Sequence, residues 1–89
     1  MIEKTVTLIN KLGLHARAAN KLLDTTGRFE SSVRISFNGK EADGKSILSV
    51  MLLAAPVGSE LTIVTEGKDE ADSMQAIVDL IKRRFEESA

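Results

Sequence analysis

The chain of 89 residues has no cysteine, no tryptophan, no tyrosine and a single histidine, His15. The lack of cysteine excludes disulfides, thiolate metal sites and thiol catalysis. With one imidazole available, a transition-metal site would need mostly carboxylate ligands. Carboxylates suit hard cations better, so we expect no metal site. We also expect no other cofactor. Three phenylalanines are the only aromatic residues, which leaves few flat faces on which nucleic-acid bases could stack.

Neither sign of charge dominates, and no apolar run is long. Twelve Lys and Arg against 13 Asp and Glu give a net charge of −1, so no overall positive field would gather nucleic acid. The longest apolar stretch, residues 47–57, is far short of the roughly 20 residues that a membrane-spanning helix needs. Residues 1–4 lack the apolar core of a secretory signal. We therefore expect a cytoplasmic protein without membrane insertion, with one domain over residues 1–89.

Four segments show the patterns of strands. Period-two alternation in residues 5–8 and 32–37 predicts strands with one wet face. Asn38-Gly39 favours a two-residue hairpin turn, because both positions readily take positive φ, and leads into a third strand over residues 40–43. β-branched residues between two glycine-containing turns predict the fourth strand, residues 60–66.

Helical patterns lie between these strands. Residues 16–26 form the first, with Gly27 placed to close it; the second begins after Ser46 as N-cap and ends before Pro56. Asp69 is placed to cap the third helix, which carries basic residues 82–84 in its last turn. Its apolar stripe is predicted at Ala71, Met74, Ile77, Val78, Ile81 and Phe85. The order βαββαβα predicts an α+β fold, an open-faced β-sandwich in which three helices cover one face of a four-stranded antiparallel sheet.

Residues 39–46 match the pattern of a phosphate-binding P-loop, G-x-x-x-x-G-K-[ST]. The same residues are better explained by the hairpin, since residues 40–43 cannot both pair as a strand and wrap around phosphates. We therefore predict no nucleotide site here.

His15 lies at the predicted start of the first helix, where unpaired backbone N–H groups and the helix dipole favour an anion. Arg17 adds a guanidinium that can hold phosphate oxygens, and Gly13 allows the preceding loop to turn sharply. In this setting the imidazole can act as a nucleophile through one ring nitrogen. The alternative is that His15 merely caps the helix.

The second helix is apolar on two sides. Ile47, Leu48, Met51 and Leu52 fall on one side, and Val50 and Leu53 on the other. Only one side can face the sheet, so the other is either a docking surface or packs on neighbouring helices. Periodicity favours neither alternative.

The segment Asn10-Lys-Leu-Gly-Leu-His15-Ala-Arg17, together with Asn38-Gly39-Lys40, Asp43-Gly44-Lys45-Ser46-Ile47 and Leu53-Ala54-Ala55, resembles the HPr family. These are the histidine-containing phosphocarriers of the bacterial phosphoenolpyruvate-dependent phosphotransferase system (PTS). The resemblance runs essentially end to end and implies one HPr-like domain. It implies that His15 accepts a phosphoryl group at Nδ1 from phosphorylated enzyme I and passes it to a histidine of an enzyme IIA protein. Arg17 would steady that group, aided by the backbone amides of Ala16 and Arg17.

The resemblance also implies partners and regulation. A monomeric carrier, not a complete catalyst by itself, would serve sugar uptake and contact its partners through Ala16, Asn20, Ile47, Leu48, Met51 and Leu52. Ser46 matches a serine that HPr kinase/phosphorylase modifies in some relatives, and a phosphate there would obstruct apolar docking. Ala18 stands where many members have proline, which leaves open a carrier of the nitrogen-linked phosphorelay. A separate alternative, based on the apolar side of the second helix, is a docking module that transfers nothing.

Overall fold

The computed structural model describes residues 1–87, so residues 88 and 89 of the expected domain lie outside the described residues. Its elements follow the predicted order and confirm the α+β fold. They are β1 (Ile2–Thr7), α1 (Ala16–Thr26), β2 (Ser32–Phe37), β3 (Lys40–Asp43), α2 (Ile47–Leu52), β4 (Glu60–Glu66), α3 (Glu70–Lys82) and a 3-10 turn, Arg84–Glu86.

The four strands form one antiparallel sheet in the order β1-β4-β2-β3. Strand β4 is central and pairs with β1, from Ile2↔Thr65 to Thr7↔Glu60, and with β2. Along β4, Leu61, Ile63 and Thr65 are buried, whereas alternate residues are more exposed. One face of the sheet is therefore covered by the helices and the other is wet, as the alternation predicts.

The Asn38-Gly39 turn confirms the hairpin. The two residues have φ of 53° and 81°, and Phe37 pairs directly with Lys40 across the turn. Residues 40–43 are extended and hydrogen-bonded to β2. They consequently cannot form a phosphate-wrapping loop, and the P-loop resemblance is accidental.

The core lies between the sheet and the helices. Helix α1 contributes Ala18, Ala19 and Leu22, and Gly27 ends it as predicted. From α2 only Val50 is buried. No helix within residues 1–87 combines the length and the hydropathy needed to cross a bilayer.

Helix α3 corrects three details of the prediction. It ends at Lys82, and Phe85 follows on a 3-10 turn in which Arg84, Phe85 and Glu86 all have positive φ. This turn folds the chain back, and the Phe85 side chain is fully buried in the core. Ala71 is exposed because it lies about 100° around the helix from the centre of the buried stripe.

Asp69 occupies the N-cap position of α3, but its side chain caps nothing. Its carboxylate instead accepts hydrogen bonds from the amides of Glu30 and Ser31, at 2.9 Å each, and from the Ser31 hydroxyl. The predicted capping role is wrong because this neighbouring loop offers three donors at once. These bonds, with that of the Ser31 hydroxyl the largest, lower the pKa of Asp69 from 3.8 to about 2.

Candidate functional site

His15 is the N-cap residue of α1, with extended backbone at φ −82° and ψ 177°. Its Nδ1 accepts a hydrogen bond from the Arg17 amide at 3.3 Å, so the ring lies against the helix N-terminus. The side chain is 25% exposed. The imidazole is therefore held at the positive end of the helix dipole and is open to solvent on one side.

The loop before His15 is fastened to the segment that follows α2. The Leu14 amide donates to the Ala55 carbonyl at 2.9 Å, and Asn10 Nδ2 donates to the Gly13 carbonyl at 2.7 Å. Gly13 has φ +67°, and a Cβ there would lie 2.5 Å from the Ala55 oxygen. The close approach that sets the position of His15 thus requires glycine at position 13.

The other ring nitrogen of His15, Nε2, contacts Glu87. His15 Nε2 lies 2.6 Å from Glu87 Oε2, and Asn10 Nδ2 lies 3.3 Å from Glu87 Oε1. Burial alone would raise the pKa of Glu87, but the hydrogen bonds from His15 and Asn10 outweigh it and lower the pKa. The sequence predictions missed Glu87, and no local pattern could have indicated a contact across 72 positions.

Arg17 is exposed on the first turn of α1. Over the part of the chain that the structure describes, its guanidinium makes no ion pair. It is therefore available to an anion that approaches the helix start. Ala16 and Asn20, predicted as partner contacts, are exposed on the same helix.

Helix α2 has the two predicted sides. Val50 and Leu53 are buried, whereas one side presents a set that we call the α2 patch, formed by Ile47, Leu48, Met51 and Leu52. Leu48 and Leu52 are 67% and 66% exposed, so packing on neighbouring helices does not cover them. The sequence predictions missed the exposed Leu12 in the loop before His15. Apolar side chains exposed in this number commonly mark a contact surface.

Ser46 caps α2 as predicted. Its Oγ accepts a hydrogen bond from the Ser49 amide at 3.4 Å, and the residue is half-buried. It lies immediately before the α2 patch, so a charge added to its hydroxyl would adjoin that apolar surface.

Together these elements bring an imidazole nitrogen, an exposed arginine and a helix N-terminus to the first turn of α1. The arrangement can accept and hold an anionic group on the imidazole. Among residues 1–87, no three side chains of the metal-ligating types converge in one place.

The chain is similar to known proteins over nearly its whole length. A family model described as "PTS HPr component phosphorylation site" matches residues 2–83. Phosphocarrier protein HPr of Cupriavidus necator is 51% identical over 87 residues, and that of Neisseria meningitidis serogroup A is 45% identical, each alignment covering 98% of both chains. The crystal structure of HPr-C-His from Thermoanaerobacter tengcongensis matches all of both chains with a TM-score of 0.96 at 36% identity.

Proposed function

The chain belongs to the HPr family of PTS phosphocarriers, and we propose that it carries the phosphoryl group on His15 Nδ1. The observation that carries this proposal is the place of the ring, partly exposed at the N-terminus of α1 with Nδ1 facing the Arg17 amide. A phosphoryl group on Nδ1 would meet the helix dipole, which stabilises an anion by about 0.3–1 kcal/mol, and by up to ~2 kcal/mol when partly buried.

The donor is phosphorylated enzyme I, and the acceptor is a histidine of an enzyme IIA protein. The hydrogen bond from the Arg17 amide to Nδ1 breaks, and Nδ1 attacks phosphorus with the lone pair thus released. The bond from phosphorus to the donor breaks as the new bond forms. Arg17 turns its exposed guanidinium onto the phosphoryl oxygens, and the amides near the helix start donate to them. The chain is then a carrier that reacts only with its partners and is not a complete catalyst by itself.

Partners dock on the α2 patch, with Ala16 and Asn20 on the edge of the contact. Support comes from the exposure of the patch and from the hydrogen bond between Leu14 and Ala55, which fastens the loop before His15 to the chain after α2. The carrier works as a monomer in the cytoplasm, where it serves sugar uptake. HPr kinase/phosphorylase acting on Ser46 would place a dianion beside the patch and weaken docking.

Incubation with phosphoenolpyruvate and enzyme I tests the proposal. Intact protein should gain one acid-labile phosphoryl group by mass spectrometry, and His15→Ala should gain none. Glu3→Ala, an exposed change on strand β1 away from α1 and the α2 patch, is the control and should still be phosphorylated. Failure of the intact protein to accept a phosphoryl group from sugar-type or nitrogen-type enzyme I would overturn the proposal, and the faster donor of the two identifies the branch.

A second candidate function, docking without transfer, is favoured only by the exposed α2 patch. It predicts that His15→Ala retains full cellular activity, whereas a phosphocarrier loses it.

A further inference from the structure

Both ring nitrogens of His15 are hydrogen-bonded, one to a group that donates and the other to a group that accepts. The Arg17 amide can only donate, so Nδ1 must offer its lone pair. An ionised Glu87 carboxylate can only accept, so Nε2 must carry the proton. The two contacts together select a single tautomer of the neutral ring.

Glu87 is held at the ring by the last residues that the structure describes. We call residues 84–87 the C-terminal strap. Its backbone runs through positive φ at three successive residues, the Phe85 side chain is buried in the core, and Lys21 Nζ donates to the Phe85 carbonyl at 2.7 Å. Residues 84–87 lie beyond the stretch that the family model matches, residues 2–83.

The Glu87 carboxylate is shielded and well supplied with donors. Its side chain is 12% exposed, and Asn10 Nδ2 donates to its oxygens as well as to the Gly13 carbonyl. Asn10 thereby joins the strap to the loop that positions His15. The positive charge of Lys21 also helps to lower the pKa of Glu87. The Glu86 carboxylate lies 3.7 Å from Lys21 Nζ, and the Arg17 side chain is exposed.

We propose that Glu87 is a positioning residue for phosphoryl transfer, which orients the imidazole, keeps the proton on Nε2 and leaves Nδ1 as the nucleophile. This inference rests on the proposed function. When Nδ1 forms its bond to phosphorus and the donor's bond to phosphorus breaks, the Nε2 proton stays on the ring, which becomes positively charged. The Glu87 carboxylate at 2.6 Å stabilises that charge, in the way that a buried carboxylate supports a catalytic imidazole in hydrolases.

The first experiment measures the tautomer and needs no phosphoryl transfer. Nitrogen-15 NMR of the imidazole, at a pH where the ring is neutral, should show essentially one tautomer in the intact protein, protonated at Nε2. In Glu87→Ala the two nitrogen shifts should move toward each other as the Nδ1-protonated tautomer appears. Glu86→Ala removes a carboxylate from the same strap without touching the ring and should leave both shifts unchanged.

The second experiment measures transfer from phosphorylated enzyme I. We expect Glu87→Ala to accept the phosphoryl group about tenfold more slowly, the change that loss of one charge-assisted hydrogen bond typically produces. We also expect phosphorus-31 NMR to show a fraction of the adduct on Nε2, which the intact protein lacks. The Glu86→Ala control should keep the rate of the intact protein and its single adduct.

The experiments distinguish a failure of the Glu87 inference from a failure of the proposed function. If the imidazole of Glu87→Ala keeps the nitrogen shifts of the intact protein, Glu87 does not select the tautomer and the inference is overturned, whatever the transfer rates are. If the shifts change but the rate and the adduct do not, Glu87 plays no part in transfer, which also overturns it. If the intact protein accepts no phosphoryl group, the proposed function fails.

Discussion

Gly13 allows the contact that positions His15 to be tested by adding one methyl group. In Gly13→Ala the new Cβ would lie 2.5 Å from the Ala55 oxygen and 2.9 Å from the Pro56 Cα, both backbone atoms that cannot rotate away. The residue would also have to keep φ near +67°. The substitution therefore introduces both an unfavourable backbone conformation and a steric overlap.

The expected loss of stability combines these two unfavourable effects with a smaller favourable one. A left-handed conformation costs a non-glycine residue roughly 1–2 kcal/mol. Forcing extra volume into a packed region costs about 1–3 kcal/mol more. Alanine also lowers the conformational entropy of the unfolded chain, which offsets about 0.4–1 kcal/mol of this loss. We expect Gly13→Ala to lower the free energy of unfolding by about 1–5 kcal/mol.

Gly39→Ala is the matched control. Gly39 also has positive φ, +81°, but nothing lies within 4 Å of a Cβ built there. Gly39→Ala should therefore lower the free energy of unfolding by about 1 kcal/mol, because only the left-handed backbone conformation is unfavourable. Urea unfolding followed by far-UV circular dichroism measures both variants, since the chain has no tryptophan or tyrosine for fluorescence. Equal destabilisation of the two variants would show that the contact with Ala55 does not hold the loop, and would refute the reasoning.

Three further predictions concern other parts of the molecule. Hydrogen bonds from Ser31 and Glu30 lower the pKa of Asp69 from 3.8 to about 2, so its ionised form stabilises the fold above pH 3.8. That contribution to stability should be lost as the pH falls towards 2. In Asp69→Asn the free energy of unfolding should therefore fall less between about pH 4 and pH 2 than in the intact protein. An equal fall in both proteins would contradict this prediction. Ser46→Ala should cost about 1 kcal/mol of stability through loss of the N-cap, whereas Ser46→Asp should keep the cap yet weaken binding of enzyme I in calorimetry; equal binding by both would argue against docking beside Ser46. Leu48→Ala should change stability by less than about 0.5 kcal/mol, because the side chain is 67% exposed, while lowering affinity for enzyme I; unchanged affinity would place the contact elsewhere.

The local elements were largely predictable because their causes are local. Asn38-Gly39 takes the positive φ of a two-residue turn whatever surrounds it, and Ser46 caps α2 through an amide three residues away. His15 was likewise placed at a helix start from its own neighbours. The two sides of α2 follow from the helical repeat, although only the structure shows which side is covered.

The features that could not be predicted are those in which distant residues compete with a local preference. Asp69 is a good capping residue by type, yet its carboxylate accepts from Ser31 and Glu30, which only the packing of the sheet brings near. The apolar repeat predicts that α3 extends to Phe85. The helix instead ends at Lys82, and Phe85 is buried from the 3-10 turn that follows.

The amino-acid sequence by itself determined the order of the elements, the hairpin, and a histidine and an arginine at a helix N-terminus, because turn chemistry, capping and periodicity act over a few residues. Only the tertiary structure decided that Glu87 meets the imidazole and that Gly13 must pass the Ala55 carbonyl. Such contacts depend on how the whole chain closes around its core, and no short segment of sequence contains that information.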